Sequence, residues 1–237
     1  MPLAEWMSRT VRAGDGKRAG STVRGSGAEA FHVPSGGGPC IYTAMGWLVA
    51  ISATSIALGW FWALPTRGGL ASVDLYFLFY PAYFRFGSEL RAGRFPIWND
   101  DLGMGINELA DSQFGFLYPP NLLFTVLPTD VGIEVQTWLH MVLASLGVWV
   151  LCRREGLSRA ACATAATAIA SSTQVFYLSN WTTMLATYAW APLVFAAARS
   201  LSRNPGGRSA LALAIVLGLQ ISAGYLQFSL FLSLIHI

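Results

Sequence analysis

Five apolar runs decide what this chain can fold into: residues 40–64, 131–151, 160–177, 184–198 and 210–234. A helix needs about 20 mostly apolar residues to cross the hydrocarbon core of a bilayer, and each run approaches that length. Only 11% of the 237 residues are charged while 54% are hydrophobic; a soluble globular chain has about a quarter of its residues charged. The expected fold class is an all-α membrane protein, a polytopic bundle of about five transmembrane helices. The fourth run is short and holds Pro192, so a kink or an extension into its flanks is expected there.

Charge orients these spans, because cytoplasmic connections are enriched in Lys and Arg. Residues 1–38 scatter Arg9, Arg12, Lys17, Arg18 and Arg24 among Gly, Ser and Ala. Such a segment buries too little apolar surface to offset its ordering entropy and reads as a disordered basic tail. With that tail in the cytoplasm, strict alternation places Arg153, Arg154 and Arg159, then Arg199, Arg203 and Arg208, on the same inner side. The uncharged connection 178–183 falls outside, as does the long loop 65–130; eight of the chain's 12 carboxylates lie between Asp74 and Glu134. No A-x-A-like cleavage site follows the first run, so it reads as an uncleaved anchor. The tail's charge is explained by topology, and no nucleic-acid partner is expected. Cys40, Cys152 and Cys162 lack metal-type spacing and read as small core residues. The chain stops at Ile237 within an apolar run, the expectation for the N-terminal part of a longer protein.

The outer loop is both acidic and aromatic. Asp74, Glu89, Asp100, Asp101, Glu108 and Asp111 are interleaved with Phe, Tyr and Trp. Tyr76, Tyr80 and Tyr83 fall at helical spacing, so this segment is expected as a short interfacial helix, either an anchor or a substrate-facing wall. Pro81 is expected at its start or at a bend. Asp74 sits where the first span emerges, either as a solvated loop acid or as a base beside a lipid-linked donor. Arg85 and Glu89 are four apart and suited to pair, while Arg85, Arg91 and Arg94 present forks that grip phosphate. Residues 106–112 are expected as a helical piece with Glu108 and Asp111 on one face, suited to an acceptor hydroxyl or a divalent cation. No complete metal motif is present, and no metal ligand is assigned. His140 lies within an apolar run, where a titratable side chain is either a functional group or a hydrogen-bonded structural one.

The run Leu90-Arg91-Ala92-Gly93-Arg94-Phe95-Pro96-Ile97-Trp98-Asn99, then Gly103-Met104-Gly105, Gln113, Tyr118-Pro119-Pro120-Asn121-Leu122-Leu123, His140 and Trp190-Ala191-Pro192-Leu193 resembles the YfhO-like bacterial membrane proteins, of the GT-C glycosyltransferase type. The resemblance covers about residues 73–227. It implies a multi-pass enzyme of the bacterial cytoplasmic membrane that moves sugar from a polyprenyl-phosphate donor to a cell-envelope acceptor on the outer face. In that superfamily an acid in the first outer loop is catalytic, and Asp74 is the matching position. On this reading Arg85, Arg91 or Arg94 stabilises the leaving phosphate. Glu108, Asp111 and Gln113 orient the acceptor, and Trp98, Asn99 and His140 complete the binding residues. Family members have Ala-Gly-His-Pro-Gln where this chain has Ala223-Gly224-Tyr225-Leu226-Gln227, so that histidine has no counterpart here. Two other readings fit the same residues. One is a transporter or flippase of a lipid-linked sugar with a polar midplane site. The other is an assembly protein with Trp98 as an anchor.

Overall fold

The computed structural model describes residues 72–234 together with Met45, Gly46, Leu48 and Val49. The basic tail and nearly all of the expected first span lie outside the described residues. The fold is predominantly helical, with a single short β-hairpin among the described residues.

Val73 and Asp74 open a helical stretch that passes through a π-turn, Leu75–Phe79, into α1 (Tyr80–Arg91). Pro81 gives the physical reason for the π-turn. It has no N–H and its ring crowds the carbonyl four residues back, so the wider i→i+5 winding carries the chain past it. Pro81 therefore stands in the first turn of α1, as expected, with helical winding already under way before it.

Strands β1 (Trp98–Asn99) and β2 (Ile106–Asn107) then pair antiparallel, Trp98 opposite Asn107 and Asn99 opposite Ile106. Two 3-10 turns follow, Ser112–Phe114 and Pro119–Thr125. The expected helix over 106–112 is replaced by β2 and a turn. Gly103 and Gly105, both at positive φ, favour the reversal there.

The remaining runs form α2 (Thr129–Arg154), α3 (Arg159–Ala170), α4 (Thr173–Leu178), α5 (Thr182–Arg203), α6 (Gly207–Ser222) and α7 (Leu226–Leu234). The second run is one helix, slightly longer than expected. The third run is two helices, because the Ser172 hydroxyl accepts from Val175 N–H and caps a new start. The fifth is also two, broken at Ala223–Tyr225, with Gly224 at φ 113°. The fourth extends well beyond 184–198 and continues through Pro192. Among the described residues α2 alone is long and apolar enough to cross a membrane by itself, and α6 is a shorter apolar helix.

Helix α2 packs chiefly on α5 and α3, and α6 packs on α5. Polar side chains share the core with apolar ones, and apolar side chains share the surface. Gln136, Thr137, His140, Ser145, Thr183, Thr187 and Gln220 are buried, whereas Val131, Val135 and Leu139 form an exposed stripe along α2. Leu211, Ile215 and Ile221 are exposed on α6 in the same way. The expected outer segment, residues 72–128, instead has an aromatic core of its own. Phe79, Tyr83, Phe86, Phe114, Phe116 and Phe124 are all buried, with Tyr83 stacked on Phe124 at 4.3 Å and Phe86 on Phe116 at 4.8 Å. Tyr83 is thus a core residue whose hydroxyl meets Thr182 Oγ1 at 3.1 Å, and does not face headgroups as its spacing suggested.

Candidate functional site

The helical stretch that begins at Val73 carries Asp74 to the corner between α4 and α5. There Trp181 Nε1–H donates to Asp74 Oδ2 at 2.6 Å, and Ser72 Oγ donates to the Asn180 carbonyl at 2.9 Å. Charge alternation placed Asp74 and connection 178–183 on the same outer side, and they are in contact. Asp74 is exposed, and its Oδ1 has no protein partner among the described residues. Trp181 packs partly against the outer aromatic core, and its ring lies 4.8 Å from that of Tyr177 with planes 51° apart.

The other outer carboxylates are differently engaged. Glu108 is 1% exposed, accepting from Arg85 Nε at 3.2 Å and from Asn99 Nδ2 at 2.6 Å. Arg85 also donates to the Trp98 carbonyl and lies 3.8 Å from Asp101. The Arg85–Glu89 pair expected from spacing does not form. Glu89 instead takes a two-point bond from Arg94 at 2.7 and 3.1 Å. That bond lowers the Glu89 carboxyl below its usual range and raises the Arg94 guanidinium. Asp100 accepts from Trp98 Nε1 at 2.8 Å, and Asp111 Oδ1 accepts from Gln113 N–H at 2.9 Å. Glu108 is buried and Asp111 exposed on a separate turn, so they do not share a face.

Distance also separates the three arginines from Asp74. At 1.5 Å per residue, Arg85 stands about 16 Å along the helix from Asp74, and Arg91 about 25 Å. Arg85 and Arg94 are committed to carboxylates. Arg91 donates to the carbonyls of Phe124 and Thr125 and to Ser88 Oγ. The arginines therefore hold the outer segment together and do not converge on Asp74. Asn99, buried against Glu108, belongs to the same scaffold. Trp98 is half exposed on the hairpin. Among the described residues no three His, Cys, Asp or Glu side chains gather closely enough to hold a metal ion.

His140 anchors a buried polar chain. Its Nδ1 lies 2.6 Å from the Gln136 carbonyl, which can only accept, so Nδ1 carries the proton. Its Nε2 then accepts from the Tyr118 hydroxyl at 2.7 Å, and that oxygen accepts from Trp190 Nε1–H at 2.8 Å. Burial raises the Tyr118 phenol above its usual range, which keeps the donated proton in place. Gln136 Nε2 continues to Asn121 Oδ1, and Asn121 Nδ2 reaches the carbonyls of Phe114 and Gly115. Both ring nitrogens of His140 are used, which makes it a strut between α2 and the outer segment. Tyr118, Asn121, Gln136, Trp190 and Trp181 were not singled out as site residues from sequence. Their positions in the Y-P-P-N and W-A-P runs, and as the lone aromatic of connection 178–183, were the available signals.

At the opposite end of the bundle, Glu155 accepts from Arg199 at 3.1 and 2.9 Å and from Arg203 at 2.8 Å. The Arg199 bonds first, then the Arg203 bond, bring its carboxyl down to about 2.

Compared with protein-family models, curated proteins and solved structures, the chain has no match among any of the three.

Proposed function

We propose that this chain is a multi-pass membrane protein whose outer segment serves sugar transfer from a polyprenyl-phosphate donor, with Asp74 as general base. Membrane embedding is supported by buried polar groups and exposed apolar ones on the same helix. A buried Gln136–His140 face and an exposed Val131–Val135–Leu139 stripe on one helix suit hydrocarbon outside and hydrogen bonding inside. The separation of Asp74 from the Arg154, Arg199 and Arg203 end supports the inside-outside assignment.

The observation that carries the catalytic reading is the Asp74 carboxylate itself. One oxygen is fixed by an indole N–H, the other is free of protein partners among the described residues, and no arginine pairs with it. A general base needs this combination of an oriented carboxylate and an available lone pair. Asp74 Oδ1 would take the acceptor hydroxyl's proton as the hydroxyl oxygen bonds to the anomeric carbon. The bond from that carbon to the phosphate oxygen breaks, and the polyprenyl phosphate leaves with the electron pair. The geometry gives Arg85, Arg91 and Arg94 a scaffolding role, so the leaving phosphate is not assigned to them.

Membranes containing the full-length protein, supplied with radiolabelled undecaprenyl-phosphate hexose, test the reading. Transfer that falls at least a hundredfold in Asp74→Asn, with protein level unchanged, is expected; unchanged transfer refutes the role. The transporter reading draws on the buried Gln136 Oε1, Ser145, Thr183 and Thr187 oxygens, which have no partner among the described residues. Lipid translocation by reconstituted protein, insensitive to Asp74→Asn, would favour it.

A further inference from the structure

We infer that Tyr177 and Trp181 form an aromatic shelf that seats a pyranose ring against Asp74. The inference rests on the sugar-transfer reading for its biological role, but it concerns binding and can fail or stand separately. A pyranose has two kinds of surface: an edge of hydroxyl donors and a face of C–H groups. A site for it needs a fixed acceptor beside an exposed ring face, and this corner has both. Asp74 supplies the acceptor, and Tyr177, 57% exposed, supplies a ring in contact with Trp181 at 4.8 Å.

The corner is built rigidly. Asn180 Nδ2 donates to the Phe176 and Tyr177 carbonyls, Ser72 Oγ ties the Asn180 carbonyl, and Tyr83 meets Thr182 Oγ1. Trp181 is wedged against the outer aromatic core, so its ring has a fixed plane. Simple interfacial anchoring accounts less well for these contacts. An anchoring indole keeps its N–H for water or headgroups, whereas here that N–H is spent on a carboxylate brought from a distant part of the chain. The arrangement orients a carboxylate that has a free oxygen and lays aromatic surface next to it.

The experiment uses the full chain in nanodiscs and a short-prenyl phosphohexose as probe, with binding measured by calorimetry. Wild type is expected to bind, Asp74→Asn to bind more weakly because its amide nitrogen cannot accept from the sugar hydroxyls, and Tyr177→Phe to match wild type. Tyr177→Ala and Trp181→Ala are expected to bind about tenfold more weakly, equivalent to about 1.4 kcal/mol. Trp181→Phe keeps a ring but loses the N–H, and is expected to bind within about threefold while losing transfer rate, a kcat effect without a KM effect. Should Trp181→Ala fail to fold, the Tyr177→Ala and Tyr177→Phe pair decides alone, since the Tyr177 ring is exposed. Equal binding by wild type and Tyr177→Ala, or no binding by wild type, overturns the shelf. Shelf-dependent binding without transfer would refute the enzymatic reading and leave the shelf standing.

Discussion

Removing one oxygen atom, by Tyr118→Phe, tests whether the Trp190–Tyr118–His140 chain holds the outer segment onto the bundle. The substitution leaves Trp190 Nε1–H without its acceptor and His140 Nε2 without its donor. Each buried orphan costs about 1–3 kcal/mol in a soluble interior, while interhelical hydrogen bonds in membranes average about 0.6 kcal/mol and reach about 1.7. Two bonds lost at once give an expected destabilisation of about 1–3 kcal/mol. Trp190→Phe breaks only the Trp190–Tyr118 bond and leaves the Tyr118 hydroxyl donating to His140, so its hydrogen-bond cost is smaller. Once Trp190 is gone, Tyr118→Phe has one orphan fewer to create, and the double-mutant cycle should show a coupling of about 0.6–1.7 kcal/mol. Equilibrium unfolding in mixed micelles measures all four corners of the cycle. A coupling below about 0.3 kcal/mol, or Tyr118→Phe within about 0.5 kcal/mol of wild type, would refute the reasoning.

Glu155 has its folded carboxyl held down at about 2, below its usual range near 4.5. The stability it contributes is thus present above about pH 4.5 and is lost as pH falls through 2. Thermal midpoints of wild type and Glu155→Gln should differ at neutral pH and converge across that window. Glu108→Gln removes the charge that meets Arg85 and should loosen the hairpin by about 1.5–3 kcal/mol; hydrogen exchange at residues 98–107 should quicken without change in α2 and α5. Gly224→Ala places a methyl 2.6 Å from the Ser112 carbonyl oxygen at φ +113°. It should cost about 2–5 kcal/mol from conformational strain and overlap together, read as a lowered unfolding midpoint.

The helical character of the chain follows from local patterns and was readable. Ser158 and Ser172 sit before short apolar stretches and cap helices as their type suggests. The splitting of the third and fifth runs was not readable from apolar content, because a hydrophobic stretch of span length has the same composition whether it is one helix or two. The pairings among residues 85–108 depart from helical spacing for a related reason. Arg85 has Glu89 at good helical spacing, yet the strand pairing brings Glu108 to it and desolvates the pair, while Glu89 turns to Arg94. Asp74 stood out as a residue, but its partner Trp181 lies in another segment and is reached only through the tertiary fold. The Y-P-P-N and W-A-P runs were visible as unusual strings. Their shared role appears only when Tyr118, His140 and Trp190 are seen as consecutive links of one hydrogen-bonded chain.

Gly115 and Gly224 face one another backbone to backbone. A Cβ on Gly115 would lie 2.6 Å from the Ala223 carbonyl oxygen, and one on Gly224 would lie 2.9 Å from Gly115 N. The two residues lie 109 positions apart in the sequence, so this contact closes a long loop. The outer 3-10 turn is synthesised early but has no seat until the α6–α7 corner arrives. The entropy of closing so long a loop is recovered only then. Until that moment the aromatic core of the outer segment can form locally, while its docking onto the bundle waits. A substitution at Gly224 should therefore show first as slow maturation and protease sensitivity of the newly made chain.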